Sequence, residues 1–388
     1  MDSVKPSLEL VRSLTDEHVL RALMRHPRLT RAELATTVDI SKPTAGESVR
    51  RLAERGLVVD TGERTPGGRG RGRVGSYYAL SPDVGTALAV DIAPEGVVAE
   101  CVDAYGQTVA RAGENISRPA EPTQVAAALR TAVTAIHDRT GQVARLAVVS
   151  AADPVDRATG RLVQLPDAPF LVGELDPVEI LRPHVTGPIT VDNDVNWAAR
   201  AERDHAGDAP LDDFAYLFLG EGLGCAIVSD GRIRRGHTGL AGEIAHLLTV
   251  APGGDAARLI EIFQRLDLRR PGSTAIDVER LLGILAARDA NAASVHAAVA
   301  SAVSGALAAI VALADPEVVI IGGPWGSHPA MIEAVRSAFR RAPRNAPIRA
   351  AALAGQPALT GARGAAIAGL RAAIIATHRT SGSRAEAG

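Results

Sequence analysis

The sequence predicts an α/β protein in two parts: a winged helix-turn-helix head over residues 1–80 and a two-lobed body over residues 81–378. Three observations predict it. Up to residue 80 there are fourteen Lys/Arg against ten Asp/Glu, in a chain whose net charge is −2, so a basic head sits on an acidic body. The head reads as helix, helix, tight turn, helix, then two β-like runs. The body twice repeats a β-meander followed by helices, as a duplicated α/β domain with a cleft between its lobes would (about 81–190 and 191–378). A length of 388 residues suits two or three domains, and 46% apolar residues supply a sizeable core. Aromatic residues are only 3%, so Ala, Val, Leu and Ile must fill that core.

In the head, DEHVLRALMRH (16–26) brings Val19, Leu20, Leu23 and Met24 to helical spacing, and Pro27 stops the helix. In TRAELATTV, Thr30 and Glu33 form a capping-box pattern. After the turn DIS, Ser41 is a good N-cap and Pro43 fits the first turn. That third helix places Val49, Leu52 and Ala53 inward and stops at Gly56. Its N-terminal half presents Lys42, Thr44, Ala45 and Ser48, short enough for close approach to a major groove. Arg50 and Arg51 lie further along, in reach of phosphates. The runs LVVDTG and SYYAL bracket a wing tip carrying Arg64, Arg69, Arg71 and Arg73. Glycines between those arginines let backbone lie close to a narrow minor groove. The expected partner is double-stranded DNA; the bland alternative is a three-helix bundle followed by a flexible Arg/Gly linker.

In the body, TALAVDIAP, GVVAECVDAYG and QTVARAGENI read as an antiparallel meander, then a helix (123–139) and the strand RLAVVS. ITVDNDVN and its helix precede a second meander, FAYLFLGEGLGCAIVSDGRIRRG, then helices from about 255 and the strand EVVIIGG. Asp192 and Asp194 flank Asn193 at a strand end, where carboxylates serve either as a general base or as helix N-caps. Cys101 and Cys225 show no ligand spacing, so neither a disulfide nor a cysteine zinc site is expected. No apolar run is read as reaching about 18 residues without a charge or break. The N-terminal segment lacks an apolar signal core. The expectation is a cytoplasmic protein with no membrane span. Residues 379–388, RTSGSRAEAG, read as a disordered tail.

PVDRATGRL (154–162), VDNDVN (191–196), LGEGLGCAIVSDGRIRRG (219–236), GLAGEIAH (239–246), DPEVVIIGG (315–323) and GARGAA (361–366), in that order behind such a head, resemble the ROK family of transcriptional repressors and sugar kinases. The resemblance implies an actin-like, hexokinase-like (ribonuclease H-like) two-lobed ATPase-fold body. It also implies a homodimer or tetramer, a palindromic operator and a sugar or sugar-derivative effector. In the family's kinases the Asp matching Asp194 is the base that takes a sugar hydroxyl proton. Glu243 matches a residue that binds sugar hydroxyls, and Glu261 another. His246 matches the histidine of a zinc site whose three cysteines are missing here, so no metal is expected. His246 is then either a sugar hydrogen-bonding residue or a structural histidine. Gly322 and Gly323 either floor an adenine pocket or let a strand turn into a helix.

This chain departs from the kinase pattern where phosphates should be held. Ala93, Pro94 and Glu95 replace the family's Gly-Gly-Thr loop, and proline supplies no amide hydrogen. Glu95 and Glu221 place acid where a triphosphate would lie; like charges about 4 Å apart cost on the order of 4 kcal/mol at an effective dielectric near 20. Ala152 and Asp153 stand where small, permissive residues belong. The expected function is a DNA-binding transcriptional regulator, most simply a repressor, with no cofactor. Its retired active site would sense a sugar through Asn193, Asp194, Glu243, His246 and Glu261. The competing reading is an ATP-dependent, glucokinase-like sugar kinase that also binds DNA.

Overall fold

The computed structural model describes residues 8–65, 75–166, 169–207, 211–287 and 289–384. The head contains α1 (Leu8–Arg25), β1 (Leu29–Thr30), α2 (Arg31–Val38), α3 (Lys42–Glu54), β2 (Val58–Arg64) and β3 (Ser76–Leu80). The caps form as the residue types dictate. Thr30 and Glu33 make a reciprocal capping box, and Ser41 accepts from the Thr44 amide. Helix α1 begins well before residue 16, and Ala53 faces solvent. β3 pairs with β1 and β2 to make the wing sheet. Arg69, Arg71 and Arg73, expected at the wing tip, lie outside the described residues.

The first lobe follows with β4 (Ala87–Ala93), β5 (Gly96–Val102), β6 (Thr108–Asn115), α4 (Pro122–Thr140), β7 (Leu146–Ala151), α5 (Pro177–Leu181) and β8 (Ile189–Asn193). α6 (Asp194–His205) leads to the second lobe: β9 (Phe214–Leu219), β10 (Leu223–Ser229), β11 (Arg232–Ile233), β12 (Leu248–Val250), β13 (Ala256–Arg258), α7 (Leu259–Arg265), α8 (Val278–Ala286), α9 (Ala290–Ala314), β14 (Val318–Gly322), α10 (Pro329–Phe339) and β15 (Ile348–Ala350). The chain then enters α11 (Pro357–Arg384).

The duplication is visible in strand order. One sheet runs β6-β5-β4-β7-β8 and the other β11-β10-β9-β14-β15. In each, an antiparallel meander is extended by two parallel strands. The central parallel strands β7 and β14 are buried along their whole length, which is why LAVVSA and VVIIG are unbroken apolar runs.

α11 ties the parts together. It lies along α6, crosses β4 and β7 of the first lobe and touches α1 of the head. One apolar cluster joins Val19, Leu20, Val49 and Leu52 of the head to Leu146, Trp197, Leu370 and Ile374, so head and first lobe share a core. Arg371 donates to the Met24 and Ala104 carbonyls, and Arg55 to the His378 carbonyl, along the same seam.

Two expectations are corrected. α11 runs through Arg384, into the stretch read as a disordered tail. α9 spans 25 residues without Asp, Glu, Lys or Arg, so one apolar run does exceed the length allowed for. Together with Pro357–His378 it is long and apolar enough to cross a membrane by length and composition. In this fold Val299, Val303, Leu307 and Ile310 of α9 pack into the second lobe's core, and that packing accounts for its composition.

Candidate functional site

A cavity of about 1130 Å3 opens between the lobes, at the C-terminal ends of β4, β7 and β9. Among the acids lining it are Asp91 from β4, Asp153 just after β7, Asp194 at the start of α6, and Glu243. Asp194 lies deep in the protein but keeps part of its surface open to the cavity. Burial, then the charges of Asp91, Asp153 and Glu243, hold its proton affinity well above the ordinary carboxylate range, against a bond from the Val195 amide. Burial pushes Asp91 up to about 6, and Asp153 and Glu243 each up to about 7; Glu95 adds to the first and Glu243 to the second. A carboxyl that keeps its proton near neutrality both donates and accepts, which is how a polyol is read.

The neighbours of Asp194 have other work. Asp192 accepts from Arg235 at 2.6 Å and from Asn196 Nδ2 at 2.7 Å, so it pins α6 to the second lobe's hairpin. Asn193 is the N-cap of α6: its Oδ1 accepts from the Val195 amide, and Nδ2 donates to the Ala151 and Asp153 carbonyls. Asn193 also lines the cavity, as expected, with its amide engaged in positioning the floor. Glu261 is corrected. It does not reach the cavity, because it caps α7 by accepting from the Arg258 amide at 3.0 Å and guanidinium at 2.8 Å. His246 lines the cavity, with Nε2 3.2 Å from the Pro166 carbonyl oxygen. Gly323, at φ +90°, is packed so closely on β9 that a Cβ would lie 2.4 Å from the Leu219 oxygen. The sequence reading missed Tyr216, whose buried hydroxyl has no partner among the described residues and whose ring lines the same wall.

Ion pairs bridge the turns at the end of the cavity formed by Pro94, Glu95 and Glu221. β4 turns into β5 through Pro94 and Glu95 alone. Arg118 donates to the Pro94 carbonyl at 3.0 Å, pairs with Glu95 at 3.3 Å and also pairs with Glu221. Arg270 reaches Glu221 at 2.7 Å. Glu221 is thus a neutralised charge, where the sequence suggested a free one. The obstacle it presents is occupancy of two arginines and closure of the gap between turns. Nothing in the motif GEGLG signals either arginine.

On the head, Lys42 and Thr44 are exposed on α3 as expected, together with Pro43 and Glu47. Arg50 is exposed but held between Glu47 and Glu54, 2.7 Å from each. Ala45 and Ser48 are corrected: both are fully buried. Ser48 donates to buried Asp16 at 2.6 Å, and Arg51 pairs with the same carboxylate. Their spacing puts them on the face that docks α3 onto α1. Arg64 at the base of the wing pairs with Asp60 at 3.1 Å.

The description "ROK family" matches residues 87–257, and "Winged helix-turn-helix DNA-binding" matches residues 12–59. A xylose repressor from Caldicellulosiruptor bescii is 22% identical over 241 residues, which cover 61% of this chain and 59% of the repressor. The chain thus spans less than two thirds of that relative. Among solved structures, a ROK family transcriptional regulator described as a homologue of the E. coli MLC protein superposes with a TM-score of 0.63 at 18% identity, over 94% of this chain and 99% of its own. A ROK hexokinase from Thermus thermophilus superposes at 0.57 with 25% identity, over 74% and 99%. The body fold is that of the hexokinase-like, actin-like proteins, behind a winged helix-turn-helix.

Proposed function

Because this chain joins a ROK family domain to an N-terminal winged helix-turn-helix, we propose that it is a sequence-specific DNA-binding transcriptional regulator, acting as a repressor, whose body senses a sugar or sugar derivative. One observation carries this reading. The head keeps an exposed recognition-helix start, Lys42 and Thr44, while the nucleotide end of the body is shut by Arg118, Glu95 and Glu221. A cleft that admits a polyol but cannot seat a triphosphate has sensing left to do. Asp194, Glu243 and His246 would face the effector, with Asn193 holding the floor. Lobe closure would move through α11 to the shared core beneath the head and change how paired heads of a homodimer or tetramer meet a palindromic operator. Half-sites would lie about 34 Å, or a multiple of it, apart.

The test is binding of the full chain to duplex DNA flanking its own coding region, with and without a panel of sugars. Each phosphate contact should add about 0.9 to the slope of affinity against salt on logarithmic axes. Binding indifferent to DNA sequence would sink the regulator reading. A second reading, an ATP-dependent sugar kinase that also binds DNA, is favoured by Asp194 at the cleft floor and by the likeness to a ROK hexokinase. Sugar-dependent ATP turnover abolished by Asp194→Asn would establish it instead.

A further inference from the structure

We propose that the effector is a polyhydroxylated amine, such as an amino sugar, and that Asp153 pairs with its ammonium group. This rests on the reading of the cleft as a sugar sensor and narrows the ligand class.

Asp153 is only 2% exposed, lines the cavity, and has no side chain among the described residues partnering either carboxylate oxygen; the Leu171 amide alone lies close enough to favour its charged form. Asp91, 6% exposed on the neighbouring strand, leaves Oδ1 unpartnered as well. A buried acid is normally matched by a cation or a full set of donors. Among the described residues no cation is placed against Asp153. No lysine follows Lys42 anywhere in the sequence. Arg118 and Arg270 are engaged at Glu221, and Arg235 is engaged by Asp192. The backbone of Asp153 is held in place, since its carbonyl accepts from Asn193, itself fixed as the α6 cap.

The missing charge is small and single. Among the described residues no three His, Cys, Asp or Glu side chains are gathered closely enough to hold a metal ion, which argues against a divalent cation. An ammonium can satisfy Asp153 with one hydrogen bond and turn its others to Glu243 or Asp194. The ligand's hydroxyls then fall to the remaining groups of the wall, which include Tyr216 and His246. A neutral sugar can be read by carboxyls that keep their protons, but it offers Asp153 no cation.

Calorimetry on the full-length protein at neutral pH tests this with glucosamine, galactosamine and mannosamine, against glucose, galactose, mannose and the three N-acetylated forms. At least one amino sugar should bind tenfold or more tighter than both its neutral parent and its N-acetyl derivative. Asp153→Asn should erase that preference, bringing the amino sugar and its neutral parent within threefold of each other, and its melting curve reports whether it folds. Should it not fold, Glu243→Gln must reduce the preference instead. A neutral or N-acetylated sugar binding as tightly as the amine, or a preference that survives both substitutions, overturns the proposal and leaves the sugar sensor standing. If no sugar of any kind binds while the protein still holds its operator, the sensor reading fails and this proposal with it.

Discussion

Arg118 of the first lobe forms an ion pair with Glu221 of the second, across the mouth of the cleft, and the same guanidinium reaches Glu95 and the Pro94 carbonyl. The turns that a phosphate donor would have to part are therefore joined to each other.

Mg-ATP should accordingly bind weakly, with a Kd above about 1 mM, or roughly −4 kcal/mol at best. Calorimetry with Mg-ATP, alone and with saturating sugar, measures it directly. Replacing Ala93 and Pro94 by glycine together returns the missing amide but leaves Arg118 and Arg270 on Glu221, so it should improve binding less than also replacing Glu221. A micromolar Kd for the unaltered chain would contradict the closed phosphate end.

Much of this architecture is legible in the residues. The capping box at Thr30 and Glu33, the cap at Ser41 and both meanders form where the pattern places them, because local chemistry decides them. Burial partners are less legible. Ser48 and Ala45 have the size expected of groove-facing residues, yet their helical phase turns them onto α1, where only the distant Asp16 explains Ser48. Glu261 matched a site residue by order along the chain, but the capping need of α7 claims it. Arg118, Arg235 and Arg270 were invisible as site residues, since their partners lie 23 to 103 positions away.

Asp16 should be the most sensitive polar residue of the head. It is 1% exposed and receives both the Ser48 hydroxyl and the Arg51 guanidinium. Asp16→Ala leaves a buried hydroxyl and a half-buried cation without their partner, at a cost of roughly 2–4 kcal/mol. Ser48→Ala should cost about 1 kcal/mol. Denaturant unfolding of the full chain ranks them, and DNA affinity should fall with Asp16→Ala. Equal costs would show that the carboxylate is not the organising partner.

The cleft acids predict a pH dependence with a definite sign. Asp91, Asp153 and Glu243 hold protons up to about 6 to 7 when folded, and Asp194 is shifted the same way. Unfolded, such groups release them near about 4. The folded chain therefore binds more protons over that interval, so this contribution is fully present below about pH 4 and is lost as pH rises through about 7. Arg118, Glu95 and His246 line the same cavity, so the comparison needs a variant. Asp153→Asn should be more stable than the unaltered protein at pH 8, by roughly 1–3 kcal/mol, with the gap closing near pH 5. Melting temperatures of both proteins from pH 5 to 8 decide it; a gap that widens on acidification would reverse the sign.

Gly361 tests the route from cleft to head. A Cβ there would lie 2.0 Å from the Trp197 carbonyl oxygen, so only glycine lets α11 lie flat on α6, whose first residue is Asp194. The Trp197 indole in turn donates to the Val149 carbonyl of β7 at 3.0 Å, which fixes α6 to the first lobe. Gly361→Ala must push the helices apart and should cost about 1–3 kcal/mol of stability. Because α11 also seats α1, the separation should loosen the tie between cleft and head, where coupling of about 1–3 kcal/mol is usual. The expected outcome is sugar affinity within a fewfold of the unaltered protein, DNA affinity likewise, and a marked fall in the effect of sugar on DNA binding. Anisotropy titrations of operator DNA with and without sugar read all three. An undiminished sugar effect in a Gly361→Ala protein of lowered melting temperature would place the route elsewhere than the α6–α11 contact.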